Sequence, residues 1–258
     1  MPETPAAPPG AVTSGARSPV VERAERDETP AVAGRLVLIA GATSASGTAA
    51  ARALVAAGAR VVAVGRDSGR LDALAADVRT TDAAGSVRTE VCDLGDEASV
   101  TALAGRIHAA DGPVDGVLHL VGGWRGGGGL AGQTDADYRF LEGSFTALRH
   151  VTRAFDADLR ESDAARLAIV SSTALDRPLA GGANYAAVKA ASEAWARAVA
   201  QGFATAARDA GAPLRAASVV FRVKTLDGLE SRLAGAYTAL WNADAAAVND
   251  TVIDLSRA

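Results

Sequence analysis

Sulfur, imidazole and long apolar runs are all scarce in this 258-residue chain, and each scarcity excludes something. The single cysteine, Cys92, rules out an internal disulfide and fits a reducing, cytoplasmic setting. It reads as a small buried side chain rather than a catalytic thiol. The three histidines (His108, His119, His150) have no ligand spacing, so no metal site is expected. No run of about 18 apolar residues exists, so no membrane span is expected. Positive charge is also short: a net charge of −4 and a pI near 5.4 argue against nucleic-acid and anionic-membrane partners. Proline is concentrated outside the rest of the chain, with six of nine in residues 1–34, a stretch with no aromatic residue. That composition cannot bury enough surface to offset its ordering entropy, so residues 1–34 are expected to form a disordered tail.

The remainder, residues 35–258, is rich enough in apolar residues for a full core, at 49% hydrophobic against 22% charged over the chain. Its pattern alternates. Short stretches at 35–40, 60–65, 86–91, 114–121, 167–171, 213–223 and 251–255 read as strands. Between them, helical patterns cover the alanine-rich stretch to 57 and residues 67–79, 96–110, 135–160, 183–208 and 228–241. Such alternation predicts βαβ units and a single α/β domain of Rossmann type, a doubly wound parallel sheet with helices on both faces. Its ligand is expected across the carboxyl ends of the strands.

Two stretches carry chemistry. Between the first strand and first helix lies Gly41-Ala42-Thr43-Ser44-Ala45-Ser46-Gly47, a glycine turn that can present backbone N–H groups to a pyrophosphate at the positive end of a helix. The second strand ends Val64-Gly65-Arg66, with no carboxylate for a ribose 2′-hydroxyl and an arginine suited to a 2′-phosphate. Arg70 follows a turn later. These residues predict binding of NADP, with NAD also possible. The second stretch runs from Ser172 to Lys189. Tyr185 and Lys189 are four residues apart and share a helix face. An ammonium beside a phenol favours the phenolate, which makes the tyrosine a proton donor or acceptor near neutral pH. Ser172, at the end of a strand, can bond the same reacting oxygen.

Ser172, Tyr185 and Lys189 in this order, together with the glycine turn, resemble the short-chain dehydrogenase/reductase family. Membership implies a hydride-transferring oxidoreductase acting on a carbonyl, an alcohol, or a planar C=N or quinonoid group, with Tyr185 as general acid/base. By the same resemblance Asp93 and Leu94 follow the third strand where the family contacts adenine, although Asp93 or Asp96 could equally cap the following helix. Gly122 is the one residue of His119-Leu120-Val121-Gly122 that matches the family's Asn-Asn-Ala-Gly, and Ser144 stands where the family often has a relay asparagine. Gly122-Gly123-Trp124 followed by glycines, and Ala45 within the turn, are similar to the dihydropteridine-reductase branch of the family. Trp124 is then expected to stack on a planar substrate, on a loop whose glycines allow closure. Departures from the pattern at Ala40, Ala45, His119-Leu120 and Ser144 leave a second reading, a catalytically silent dinucleotide-binding sensor or scaffold. The region after Tyr185 is short for the family, so the pocket is expected to be open or completed by a partner subunit. The apolar faces of 135–160 and 183–208 imply a homodimer or homotetramer.

Overall fold

The computed structural model describes residues 31–79 and 84–257. Seven strands form one sheet in the order β3-β2-β1-β4-β5-β6-β7, every neighbouring pair parallel. The strands are β1 (Leu36–Ala40), β2 (Arg60–Gly65), β3 (Ser86–Val91), β4 (Gly116–His119), β5 (Arg166–Ser172), β6 (Ala217–Val223) and β7 (Thr251–Asp254). The helices between them are α1 (Ala45–Ala56), α2 (Ser68–Val78), α3 (Glu97–Ala110), α4 (Asp135–Ala154), α5 (Asp156–Glu161), α6 (Ala183–Asp209), α7 (Glu230–Ala239) and α8 (Ala245–Val248). Parallel strands need crossover connections, and these helices supply them on both faces.

Alternation along β1 shows how the strands serve two cores. Val37 and Ile39 face Leu54 of α1 and Leu233 of α7 in one layer. Leu36, Leu38 and Ala40 face Leu103 and Ile107 of α3, Val151 of α4 and Phe203 of α6 in the other. Strands buried on both sides must be continuously apolar, and the run Leu-Val-Leu-Ile-Ala is. The C-terminal segments are tied beneath the sheet by Arg166. Its buried guanidinium donates to the carbonyls of Ala165, Arg215, Leu240 and Ala243.

The structure corrects several boundaries. The expected tail falls outside the described residues except for its last four. Residues 31–34 form a turn, with Val32 in the core at 1% exposure and the Gly34 N–H on the Gly58 carbonyl. The ordered domain therefore includes at least residues 31–34. The helix expected over 135–160 is two helices, because Phe155 leaves helical geometry at φ −113° and ψ 14°. The bend seats Phe155 in the core and lets Asp158 of α5 accept the Val114 N–H at 2.9 Å. The strand expected from 213 begins at Ala217, consistent with Pro213 having no N–H for a ladder. The strand expected to reach 121 pairs in register only to His119, although the Leu120 N–H still bonds the Ala40 carbonyl at 2.8 Å.

Candidate active site

A crevice opens across the carboxyl ends of the strands. It has two joined compartments that share Ser44, Leu120, Val121 and Gly122 in their walls. The larger, about 870 Å³, holds Ser172, Tyr185, Lys189, Ser46, His119 and Trp124. The smaller, about 500 Å³, holds Gly41, Thr43, Arg66, Asp93, Leu94 and Ser144. All residues expected in the site except Gly47 therefore line one continuous crevice, and Gly47 lies in the turn beneath it.

The glycine turn is built by close approach. Gly41 has φ +84°, and a Cβ there would lie 2.9 Å from the Val121 amide nitrogen. A Cβ on Gly47 would overlap the Ala42 carbonyl, so only glycine lets α1 start this close to β1. Ser44 caps α1 by accepting the Gly47 N–H at 3.1 Å. The amides that begin a helix lack partners within it, so the first turn at Ala45 and Ser46 brings the positive end of its dipole to the larger compartment. Ala45 is exposed on this turn. The turn has the shape and polarity of a phosphate cradle, which meets the requirement for a dinucleotide's pyrophosphate.

In the smaller compartment Arg66 is exposed at the end of β2 and makes no ion pair among the described residues. Arg70 is partly occupied, donating to the Thr43 carbonyl at 2.6 Å. The alternatives for the third strand end separate cleanly. Asp96 caps α3 by accepting the Ser99 N–H, while Asp93 stays at the rim and accepts the Gly95 N–H beside buried Leu94.

In the larger compartment β5 ends at Ser172, and α6 brings Tyr185 and Lys189 to the same wall. Lys189 Nζ donates to the Val170 carbonyl at 2.8 Å and lies 5.8 Å from the centre of the Tyr185 ring. Burial, partly opposed by Glu193, lowers the Lys189 pKa to about 8. Burial raises the Tyr185 pKa, and the Ser172 side chain opposes the rise. The expected lowering by the Lys189 ammonium is not what is found: the shift runs upward, with burial as its largest cause. Ser144, at the position of the family's relay asparagine, is half-buried. Its hydroxyl donates to the Leu141 carbonyl of its own helix at 2.7 Å, and it lines the smaller compartment, away from Tyr185.

Three features were not read from the sequence. Gln133 Nε2 donates to the carbonyls of Gly127, Gly129 and Gly181, while its Oε1 accepts the Asn184 N–H. The glycine loop bearing Trp124 is thereby stapled to the start of α6 rather than hanging free. Arg222 of β6 grips buried Glu193 with two nitrogens and Asp176 with a third, fixing the segment after Ser172 against α6. His119, which replaces a family asparagine, donates through Nε2 to the Ser144 carbonyl at 3.1 Å. A lone glutamine, arginine or histidine has no local pattern to reveal such long-range roles.

A family model described as short chain dehydrogenase matches residues 35–207. Among curated proteins, dehydrogenase/reductase SDR family member 11 of Bos taurus is 30% identical over 127 residues. That match covers 49% of this chain and 50% of the relative, so the chain spans about half the relative's length. Among solved structures, a metagenomic short-chain oxidoreductase in complex with NADP superposes with a TM-score of 0.74 at 22% identity, covering 87% of this chain and 98% of that one. A xylitol dehydrogenase bound to NAD+ superposes with a TM-score of 0.74 at 15% identity, covering 86% and 98%. At these identities the two structures speak to the fold alone. Among the described residues no helix is long and apolar enough to cross a membrane, and no cluster of three metal-ligating side chains occurs.

Proposed function

Because the chain belongs to the short-chain dehydrogenase family, whose members bind NAD or NADP, we propose that it is an oxidoreductase in which Tyr185 protonates a substrate as it is reduced. The observation that carries this reading is the convergence of Ser172, Tyr185 and Lys189 on one wall of a crevice that continues over the Gly41–Gly47 turn. The turn and the first amides of α1 would hold the pyrophosphate, and Asp93 and Leu94 would flank the adenine. Arg66 would meet a 2′-phosphate, which favours NADPH over NADH. Gly122, where an added Cβ would lie 3.6 Å from Lys189 Nζ, leaves room for a ribose beside that ammonium. When bound, the nicotinamide supplies the hydride.

The chain's own residues supply the proton and the alignment. Tyr185, kept protonated by burial, donates to the developing oxyanion or nitrogen anion. Ser172 orients the accepting atom. Lys189, charged below about pH 8, stabilises the phenolate left behind. Trp124, 61% exposed, and Leu179, 71% exposed, give the mouth two apolar surfaces. They suit a planar substrate such as a quinone or a quinonoid pterin as well as a simple ketone. A homo-oligomer of soluble, cytoplasmic subunits is the assembly this reading expects.

The test is Tyr185→Phe, assayed by NADPH and NADH consumption against ketones, quinones and quinonoid pterins. Turnover is expected to fall by roughly 10²–10⁴-fold while cofactor affinity stays within a few-fold. A wild type that binds cofactor but reduces none of these substrates would favour the silent binder, a reading for which the inward-turned Ser144 hydroxyl is the supporting observation.

A further inference from the structure

Two residues lining the larger compartment carry a buried side-chain polar atom without a hydrogen-bond partner, Ser171 at Oγ and His119 at Nδ1, and His119 is only 5% exposed. Its protonation follows from its other nitrogen. The Ser144 carbonyl can only accept, so Nε2 carries the hydrogen. Burial, reinforced by the Lys189 charge, drives the imidazole pKa down to about 3, so the ring is neutral and Nδ1 is a bare acceptor. Leaving such an acceptor unsatisfied in the interior is costly, about 1–3 kcal/mol. Lys189 has the opposite need. Its ammonium has three hydrogens, and one is taken by the Val170 carbonyl. The two groups line the same compartment, and the charge of one is felt at the other. One end can only donate and the other can only accept, so a group between them must do both, as an O–H does.

We propose that His119 is a positioning residue for Lys189: a hydroxyl accepts from the Lys189 ammonium and donates to His119 Nδ1, tying the ammonium through the imidazole to the Ser144 carbonyl of α4. The hydroxyl is water in the free protein, or a sugar hydroxyl when a nucleotide fills the crevice. No bond is made or broken in this bridge, and its role is to hold the ammonium charged and in place. The inference rests on the reading above for its catalytic meaning, but the geometry is independent of turnover. The other ionisable groups facing Lys189 are Tyr185 and Glu193 on α6, the latter paired with Arg222 of β6.

Two features make the test direct: the chain has only two lysines, Lys189 and Lys224, and three histidines. Nitrogen-15 NMR of the wild type is expected to show a neutral His119 with hydrogen on Nε2 and a hydrogen-bonded Nδ1. An imidazolium at neutral pH, hydrogen on Nδ1, or a chemical shift of an unbonded Nδ1 overturns the proposal without any variant. Carbon-13 titration of the lysine ε-methylenes then follows Lys189 in three variants. His119→Asn keeps an acceptor near the Nδ1 position, His119→Gln keeps a donor near the Nε2 position, and His119→Phe keeps neither. Loss of a hydrogen bond that favours the charged form should lower the Lys189 pKa by about one pH unit in His119→Gln and His119→Phe, and far less in His119→Asn. If only the tie to α4 mattered, Gln would substitute better than Asn, and that order refutes the bridge. A Lys189 pKa equal in all four proteins refutes it too. Repeating the titration with NADPH separates the two hydroxyl sources: a sugar bridge makes the His119 dependence change on binding, and a water bridge leaves it as it was. The titration uses no substrate, so failure of the enzyme reading would show as absent turnover with the Lys189 shifts intact.

Discussion

Replacing Lys189 by methionine should make the folded protein more stable near neutral pH. The ammonium titrates at about 8 in the folded state against 10.5 in an accessible chain, so the fold favours the neutral amine. At about 1.4 kcal/mol per pH unit, keeping the charge inside costs about 3 kcal/mol. The side chain is only partly hidden where it faces the crevice, and water there reduces the penalty. Methionine also leaves the Val170 carbonyl without its donor, worth about 1 kcal/mol. A net gain of about 1–2 kcal/mol for Lys189→Met is the expected result. The pH dependence gives the sharper check. Below pH 8 lysine is charged in both states and the whole penalty is present. Between 8 and 10.5 the unfolded chain binds more protons than the folded one, so wild-type stability rises with pH. The advantage of the variant should therefore be largest below pH 8 and close by about pH 10.5. Denaturant unfolding of both proteins from pH 6 to 10.5 measures it, and taking the difference removes the shared tyrosine titrations. A variant less stable than wild type at pH 7, or a difference flat across this range, refutes the reasoning. Activity in the variant should be lost, which would place this lysine among residues kept for chemistry at a cost to stability.

Other outcomes follow from the same geometry. Arg66→Ala should weaken NADPH binding by roughly ten- to a hundredfold, the loss of one charge-assisted contact, and leave NADH within twofold. Equal losses in fluorescence titrations with the two cofactors would disprove a 2′-phosphate role. Gly47→Ala forces a methyl into the Ala42 carbonyl and should cost about 3 kcal/mol or prevent folding. A Tm within a few degrees of wild type would contradict the close approach described here. Trp124→Ala removes a mostly exposed ring and should leave stability within about 0.5 kcal/mol, yet raise KM for planar substrates roughly tenfold. Unchanged kinetics across quinones, quinonoid pterins and ketones would remove Trp124 from the site.

Much of the fold is visible in the chain because its signals are local. Leu36–Ala40 is apolar at every position, the mark of a strand covered on both faces, and the glycine turn follows it directly. The spacing of Tyr185 and Lys189 places them on one face of any helix, and an apolar run ending at Ser172 sets the serine at a strand end. Element boundaries were less legible. Phe155 reads as one more apolar residue in a helical pattern, and only the packing of its ring and the demand of the Val114 N–H for Asp158 show that the helix must bend there.

The sequence by itself determined the order of strands and helices, the turn that only glycine can make, and the residue types able to move a proton. Periodicity, backbone sterics and functional-group chemistry act within a few residues, so they can be read along the chain. The tertiary structure alone decided how those groups behave. It turned the Ser144 hydroxyl into its own helix, set His119 against the Ser144 carbonyl, and stapled the Trp124 loop with Gln133. It also set the direction of the Tyr185 pKa, which burial raises. Desolvation and long-range hydrogen bonding depend on what the fold brings around a group from distant parts of the chain, and no local pattern records that surrounding.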